Sequence, residues 1–142
     1  MGAARWSVSS ALLLLVSCAS PEPAQTLGGD YERLEGTWVV TYNEAYGERV
    51  PERIGALFIF HGDRVRRSTD ASDQRFSLDE SVTPKRIDIY DPPQADIHGI
   101  YRLDGDELEI CGNSPDGVRP TEFRTGLFSG GGIRTRFTRR KP

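Results

Sequence analysis

Short stretches of alternating apolar and polar residues recur along the chain from Thr37 onward. Side chains at every second position share one face of a strand, so this alternation predicts half-buried strands. Turns containing glycine and aspartate separate them, and Asp104-Gly105-Asp106 is the clearest, because glycine adopts positive φ at no steric cost. Eight strands are predicted, near residues 37–42, 56–60, 64–68, 75–78, 86–90, 97–103, 107–111 and 133–138.

The predicted strands and short links favour a barrel. In the first strand, alternation places Trp38, Val40 and Tyr42 on one face, and one turn of helix is predicted just before it, over residues 31–34. An antiparallel meander leaves two exposed edges unless it closes, and closure removes both. We therefore predict an all-β domain over residues 30–142. It forms an eight-stranded antiparallel up-and-down barrel with a short N-terminal helical turn.

The first residues of the chain carry an apolar run without alternation. Ala11–Val16 follows the basic Arg5, and no acidic residue stands before Glu22. The run is far shorter than the about 20 residues that a membrane-spanning helix needs. Because this arrangement is typical of an export leader, residues 1–17 are predicted to be a signal peptide that the mature protein lacks.

The sequence Leu15-Val16-Ser17-Cys18 closes that run and resembles the lipobox of bacterial lipoproteins, in which the cysteine becomes the lipidated N-terminus. The resemblance implies a lipid on Cys18, followed by a tether over residues 18–29 that has little to bury. The implied location is the bacterial cell envelope, on a membrane and facing the periplasm or the exterior. An ordinary secretory signal and an uncleaved anchor are the alternatives.

The head of the first strand resembles the opening motif of lipocalins. Gly36-Thr37-Trp38 has the Gly-x-Trp pattern of that motif and follows the predicted turn of helix. In lipocalins the tryptophan closes one end of the barrel, and a basic residue from near the last strand packs across it. The resemblance implies the plugging role for Trp38, with Arg119, Arg134 and Arg136 as candidates for the basic partner.

Five segments carry a closer resemblance: LEGTW at 34–38, PKRID at 84–88, GIYRLDGD at 99–106, ELEIC at 107–111 and RPTEF at 119–123. In this order they resemble the lipocalin-like "planctomycete uncharacterised domain" family. The resemblance implies a lipocalin-like barrel and export, and it implies no activity. The chain is shorter than a lipocalin and lacks the long C-terminal helix, which favours a filled interior over a deep cavity.

Aromatic residues and one loop are the candidate site residues. An eight-stranded barrel is just wide enough for its own side chains or for one small ligand, so the aromatic residues either fill the core or line a pocket. We expect a filled core, and weak or no binding of an apolar probe. Arg119 and Glu122 flank Pro120 and are expected to order a loop, with lining of a site as the alternative. The aromatic candidates are Trp38, Phe58, Phe60, Tyr90, Tyr101 and Phe137.

Charge and reactive residues exclude several functions. A net charge of −3 argues against general nucleic-acid binding. With Cys18 lipidated, Cys111 has no partner within the chain, and its strand context favours a buried thiol. His61 and His98, the only histidines, lack the spacing of metal ligands, so no metal site or cofactor is expected.

A binding or accessory lipoprotein is the expected function. The sequence shows no nucleophile–base pair, so an enzyme is a remote alternative. The expected partners are a membrane, held through Cys18, and either a small apolar ligand or another envelope protein. A structural or protein-interaction barrel without a ligand pocket is the main alternative.

Overall fold

The computed structural model describes Gly2 and residues 27–90, 97–114, 116–126 and 131–142. Cys18, most of the tether and the predicted leader apart from Gly2 lie outside the described residues. The elements are helix α1 Asp30–Leu34, the 3-10 turn Pro51–Arg53, and strands β1 Gly36–Ala45, β2 Glu48–Arg49, β3 Leu57–His61, β4 Arg64–Arg67, β5 Gln74–Asp79, β6 Lys85–Tyr90, β7 Ile97–Asp104, β8 Glu107–Asn113 and β9 Ile133–Arg139.

Eight of these strands form a closed antiparallel barrel. Apart from β2, each strand pairs with the next along the chain, and β1 also pairs with β9. This closure leaves neither end of the meander as an open edge. The predicted eight-stranded, lipocalin-like barrel with an N-terminal helical turn is confirmed. The pattern did not predict β2, which pairs only with Glu44 and Ala45 at the end of β1.

An irregularity in β1 changes which side chains face the interior. Val40 stands opposite Phe137 in β9, but Tyr42 stands opposite Arg136, so β1 holds one extra residue. Such a bulge shifts the alternation by one position. Asn43 is therefore buried inside the barrel, with 3 % of its surface exposed. The prediction that Tyr42 shares a face with Trp38 and Val40 is wrong, because the bulge turns it outward.

Trp38 plugs one end of the barrel, which we call the closed end. Its side chain is fully buried, and the indole Nε1 donates a hydrogen bond to the Leu34 carbonyl at 2.8 Å. The Arg139 guanidinium lies 4.3 Å from the indole centroid. It also donates hydrogen bonds to the carbonyls of Arg33 and Glu35. Helix α1, the indole and the end of β9 thus form one unit.

The basic residue on Trp38 is not one of the predicted candidates Arg119, Arg134 and Arg136. Arg139 stands directly opposite Trp38 in the β1–β9 register. The sequence pattern ends the last strand one residue earlier, at 138. Only the longer β9 brings this guanidinium over the indole.

A buried carboxylate joins α1 to the barrel at the same end. Asp30 is 1 % exposed and accepts hydrogen bonds from Lys85 Nζ at 2.6 Å, Tyr101 Oη at 2.8 Å and Arg33 at 2.7 Å. Burial acts to raise the pKa of Asp30, but the bonds from Lys85 and Tyr101 outweigh it and hold the pKa below its ordinary value. Burial and the bond to Asp30 place the pKa of Tyr101 far above its usual value.

Truncating the plug should weaken the whole barrel. We expect Trp38→Ala to lower the free energy of unfolding by about 3–5 kcal/mol, the usual cost of removing a buried large aromatic side chain. Urea melts followed by circular dichroism measure this. A loss below about 1 kcal/mol would show that the indole contributes little to the fold.

The buried carboxylate of Asp30 should contribute to the free energy of unfolding in a way that depends on pH. Asp30→Ala should lower the free energy of unfolding at neutral pH by about 2 kcal/mol, because hydrogen bonds to a charged group are lost. Since the folded pKa is lowered, this stabilisation is present above the unfolded pKa of about 3.9 and disappears as the pH falls through the folded value. Chemical melts at a series of pH values should show that the difference in free energy of unfolding between wild type and Asp30→Ala decreases in acid.

The matched control for this prediction is Asp73→Ala. Asp73 is about half exposed and pairs with Arg66 at 3.4 Å on the surface. Its removal should change the stability by less than about 0.5 kcal/mol at any pH. Equal effects of the two variants would contradict a special role for Asp30.

Candidate functional site

The half of the barrel away from Trp38 is hollow. It holds a cavity of about 450 Å³, a size within the range of about 300–1,000 Å³ that is typical of small-molecule pockets. The expectation of a filled core therefore holds only for the closed half. The apolar side chains that line the cavity are Val40, Phe58, Phe60, Val65, Ile89, Ile97, Ile110, Ile133 and Phe137.

The bulge in β1 and several small residues account for this space. Regular alternation would place the large Tyr42 ring inside, where the bulge places the smaller Asn43. Ala56, Gly112 and Gly132 also line the cavity. A Cβ atom on Gly112 would lie 2.7 Å from the Ile97 side chain, so the wall accepts no larger residue there. Small residues at inward positions are therefore the sequence signal of this cavity.

Polar groups interrupt the apolar wall near the mouth of the cavity. Asn43 Nδ2 donates a hydrogen bond to Thr135 Oγ1 at 2.7 Å, and Arg53 Nη1 lies 3.5 Å from Asn43 Oδ1. Arg67 and Gln74 also line the cavity. Among the described residues, no aspartate or glutamate lines it. The described lining is therefore polar and positively charged at the mouth, whereas the floor is apolar.

The outward Tyr42 lies among arginines on the outer face. The guanidinium carbons of Arg49, Arg136 and Arg134 are 4.5, 5.0 and 5.6 Å from its ring centroid. Arg134 and Arg136 also donate hydrogen bonds to Glu109, at 2.6 and 3.2 Å. Burial acts to raise the pKa of Glu109, but these arginines outweigh it and lower the pKa. The cluster joins β1, β2, β8 and β9, and the Glu109 carboxylate offsets part of its positive charge.

The loop between β8 and β9 is held by Arg119. This residue forms an ion pair with Asp88 at 2.7 Å and donates a hydrogen bond to the Gly99 carbonyl at 2.7 Å. Glu122 instead pairs with Arg124, at 2.7 Å on the surface. Arg119 and Glu122 therefore do not pair with each other, and neither lines the cavity.

The aromatic candidates divide into three groups. Phe58, Phe60 and Phe137 line the cavity, and Phe58 packs edge-on against Phe137 with ring centroids 5.2 Å apart. Trp38 and Tyr101 are buried at the closed end, outside the cavity. Tyr90 lies neither in the core nor in the cavity wall. Its neighbour Ile89 faces the cavity, so Tyr90 faces outward by alternation. Its hydroxyl there lies 3.3 Å from Ser77 Oγ.

The remaining reactive residues lie apart from the cavity. Cys111 is fully buried on the outer face of β8, with Sγ 3.4 Å from the Arg124 carbonyl, and burial raises the pKa of its thiol. His61 contacts Glu35 at 3.2 Å near the closed end. His98 contacts Asp88 at 3.0 Å on the outer face. Within the described ranges, no three acidic, histidine or cysteine side chains are arranged to hold a metal ion.

Comparisons with known proteins identify no relative of this chain. None of the protein-family models, curated proteins or solved structures compared with the chain matches it. In the parts of the chain that the structure describes, no helix is long and apolar enough to cross a membrane. The cavity is the feature that best supports a functional proposal.

Proposed function

We propose that this chain is a lipid-anchored protein of the bacterial cell envelope whose barrel binds a small apolar molecule. The observation that carries the binding role is the cavity of about 450 Å³ with its apolar walls. Each methylene group buried there would contribute about 0.8 kcal/mol to binding. The leader and the lipobox ending in Cys18 support the anchoring role.

The fold gives this proposal a consistent geometry. The tether leads into α1, which is fixed at the closed end through Asp30 and through the Arg139 bonds to Arg33 and Glu35. The cavity lies in the other half of the barrel. An anchor on Cys18 would therefore hold the barrel by its closed end, on a tether that spans roughly 35 Å when extended. Such an arrangement leaves the cavity mouth free for a ligand.

Binding can be tested with an apolar fluorescent probe. The full chain, made by cell-free synthesis without membranes, should bind the probe saturably with one-to-one stoichiometry. Filling the cavity with Ile110→Trp should weaken the affinity at least about tenfold, which corresponds to about 1.4 kcal/mol. Fluorescence titration measures both affinities.

The control is Val39→Trp, which adds the same ring on the outer face of β1 and should leave the probe affinity unchanged. If Ile110→Trp and Val39→Trp bind the probe equally well, the probe sits on the surface. If the wild-type chain does not bind the probe, the barrel is a structural or protein-interaction module without a ligand pocket.

Anchoring has a separate test. Wild-type protein from bacterial membranes should partition into the detergent phase, because acyl chains on one residue hold stably when two or more are present. Cys18→Ala, exported by a conventional cleavable leader in place of residues 1–17, should partition into the aqueous phase. Cys111→Ala is the matched control and should stay in the detergent phase. Wild-type protein in the aqueous phase would refute the lipobox interpretation.

A further inference from the structure

Two arginines line the mouth of the cavity, and one of them, Arg53, has no acidic partner among the described residues. Arg53 and Arg67 are the charged residues of the described lining, and both are cationic. Arg67 has a partner, since its Nε lies 3.1 Å from Asp70. Arg53 forms no ion pair within the described residues, and its contact is the neutral amide of Asn43.

Asn43 holds this arginine at the cavity. The Asn43 side chain is 3 % exposed, and its amide nitrogen is occupied by Thr135 at 2.7 Å. Its orientation is therefore fixed, which leaves the amide oxygen directed toward Arg53 Nη1 at 3.5 Å. The backbone supports the same arrangement, because the Val50 amide donates to the Asn43 carbonyl at 3.0 Å and the Arg53 amide donates to the Val50 carbonyl at 3.2 Å.

We propose that the cavity takes an amphiphile with an apolar body and a carboxylate head, and that Arg53 binds the head. This inference rests on the proposed binding function and adds the class of ligand. The planar guanidinium has parallel N–H groups that match the two oxygens of a carboxylate. The apolar body would lie deeper, against Phe58, Phe60 and Phe137. A cationic head would meet Arg53 and Arg67 and no acid among the described lining residues, so the same site disfavours amines.

Three ligands of equal chain length separate the contribution of the head group to affinity from that of the apolar body: dodecanoate, dodecanol and dodecylamine. Each competes with the apolar fluorescent probe for the full chain made without membranes. We expect dodecanoate to bind about tenfold more tightly than dodecanol, the effect of one charge-assisted hydrogen-bonded pair, and dodecylamine to bind most weakly.

Variants at the mouth test whether Arg53 causes the preference for a carboxylate head. Arg53→Gln should abolish the preference for dodecanoate over dodecanol, by weakening the binding of dodecanoate about tenfold. Arg53→Lys keeps the positive charge but lacks the parallel N–H groups of a guanidinium, so it should retain part of the preference for dodecanoate. Arg49→Gln makes the same change of charge nearby, on the outer face over Tyr42, and should retain all of it.

The outcomes distinguish this inference from the proposed function. If dodecanol and dodecanoate bind wild-type protein equally, or if the preference survives Arg53→Gln, the assignment of the head to Arg53 is overturned while the apolar cavity stands. If none of the three competes with a probe whose affinity Ile110→Trp weakens, this inference alone is overturned. If the probe does not bind the wild-type chain, both proposals are overturned.

Discussion

The extra residue in β1 decides the character of the barrel interior. A strand of regular alternation would place Tyr42 inward after Trp38 and Val40, and its large ring would occupy the lumen. The bulge opposite Phe137 and Arg136 ends that alternation after Val40. One irregularity thus produces a packed half, a hollow half with the amide of Asn43 in its wall, and an outer face where Tyr42 meets arginines. Bulges commonly redirect side chains in this way.

The two halves of the barrel are built from different interactions. At the closed end, the buried Asp30, the indole of Trp38 and the guanidinium of Arg139 join α1 to four strands, β1, β6, β7 and β9, through short hydrogen bonds. Every buried polar side-chain atom of the described residues has a partner, as a stable interior requires. The hollow half has a bonded pair, Asn43 and Thr135, within a largely apolar wall. Buried hydrogen bonds to charged groups are therefore concentrated at the closed end, where α1 joins the barrel.

The sequence predicted the strands well and the site poorly, for physical reasons. Alternation and turn residues are local, so all eight barrel strands and the helical turn were found. The bulge is not local, because it exists only in the pairing of β1 with a strand more than 90 residues away. The role of Arg139 likewise depends on the register of that pairing. The cavity and the position of Tyr42 follow from the bulge, so they could not be read from periodicity alone.

The closing pair of strands also sets the order in which the barrel can form. Thr41 in β1 donates a hydrogen bond to the carbonyl of Arg136 in β9, and these residues are 95 positions apart. Such distant pairing carries a high loop-closure cost and slows folding. The plug over Trp38 is complete only after β9 pairs with β1, because it includes Arg139, the last residue of β9. Until β1 and β9 pair, the barrel strands form an open sheet with two unpaired edges, so closure of the barrel depends on the two barrel strands that lie farthest apart in the sequence.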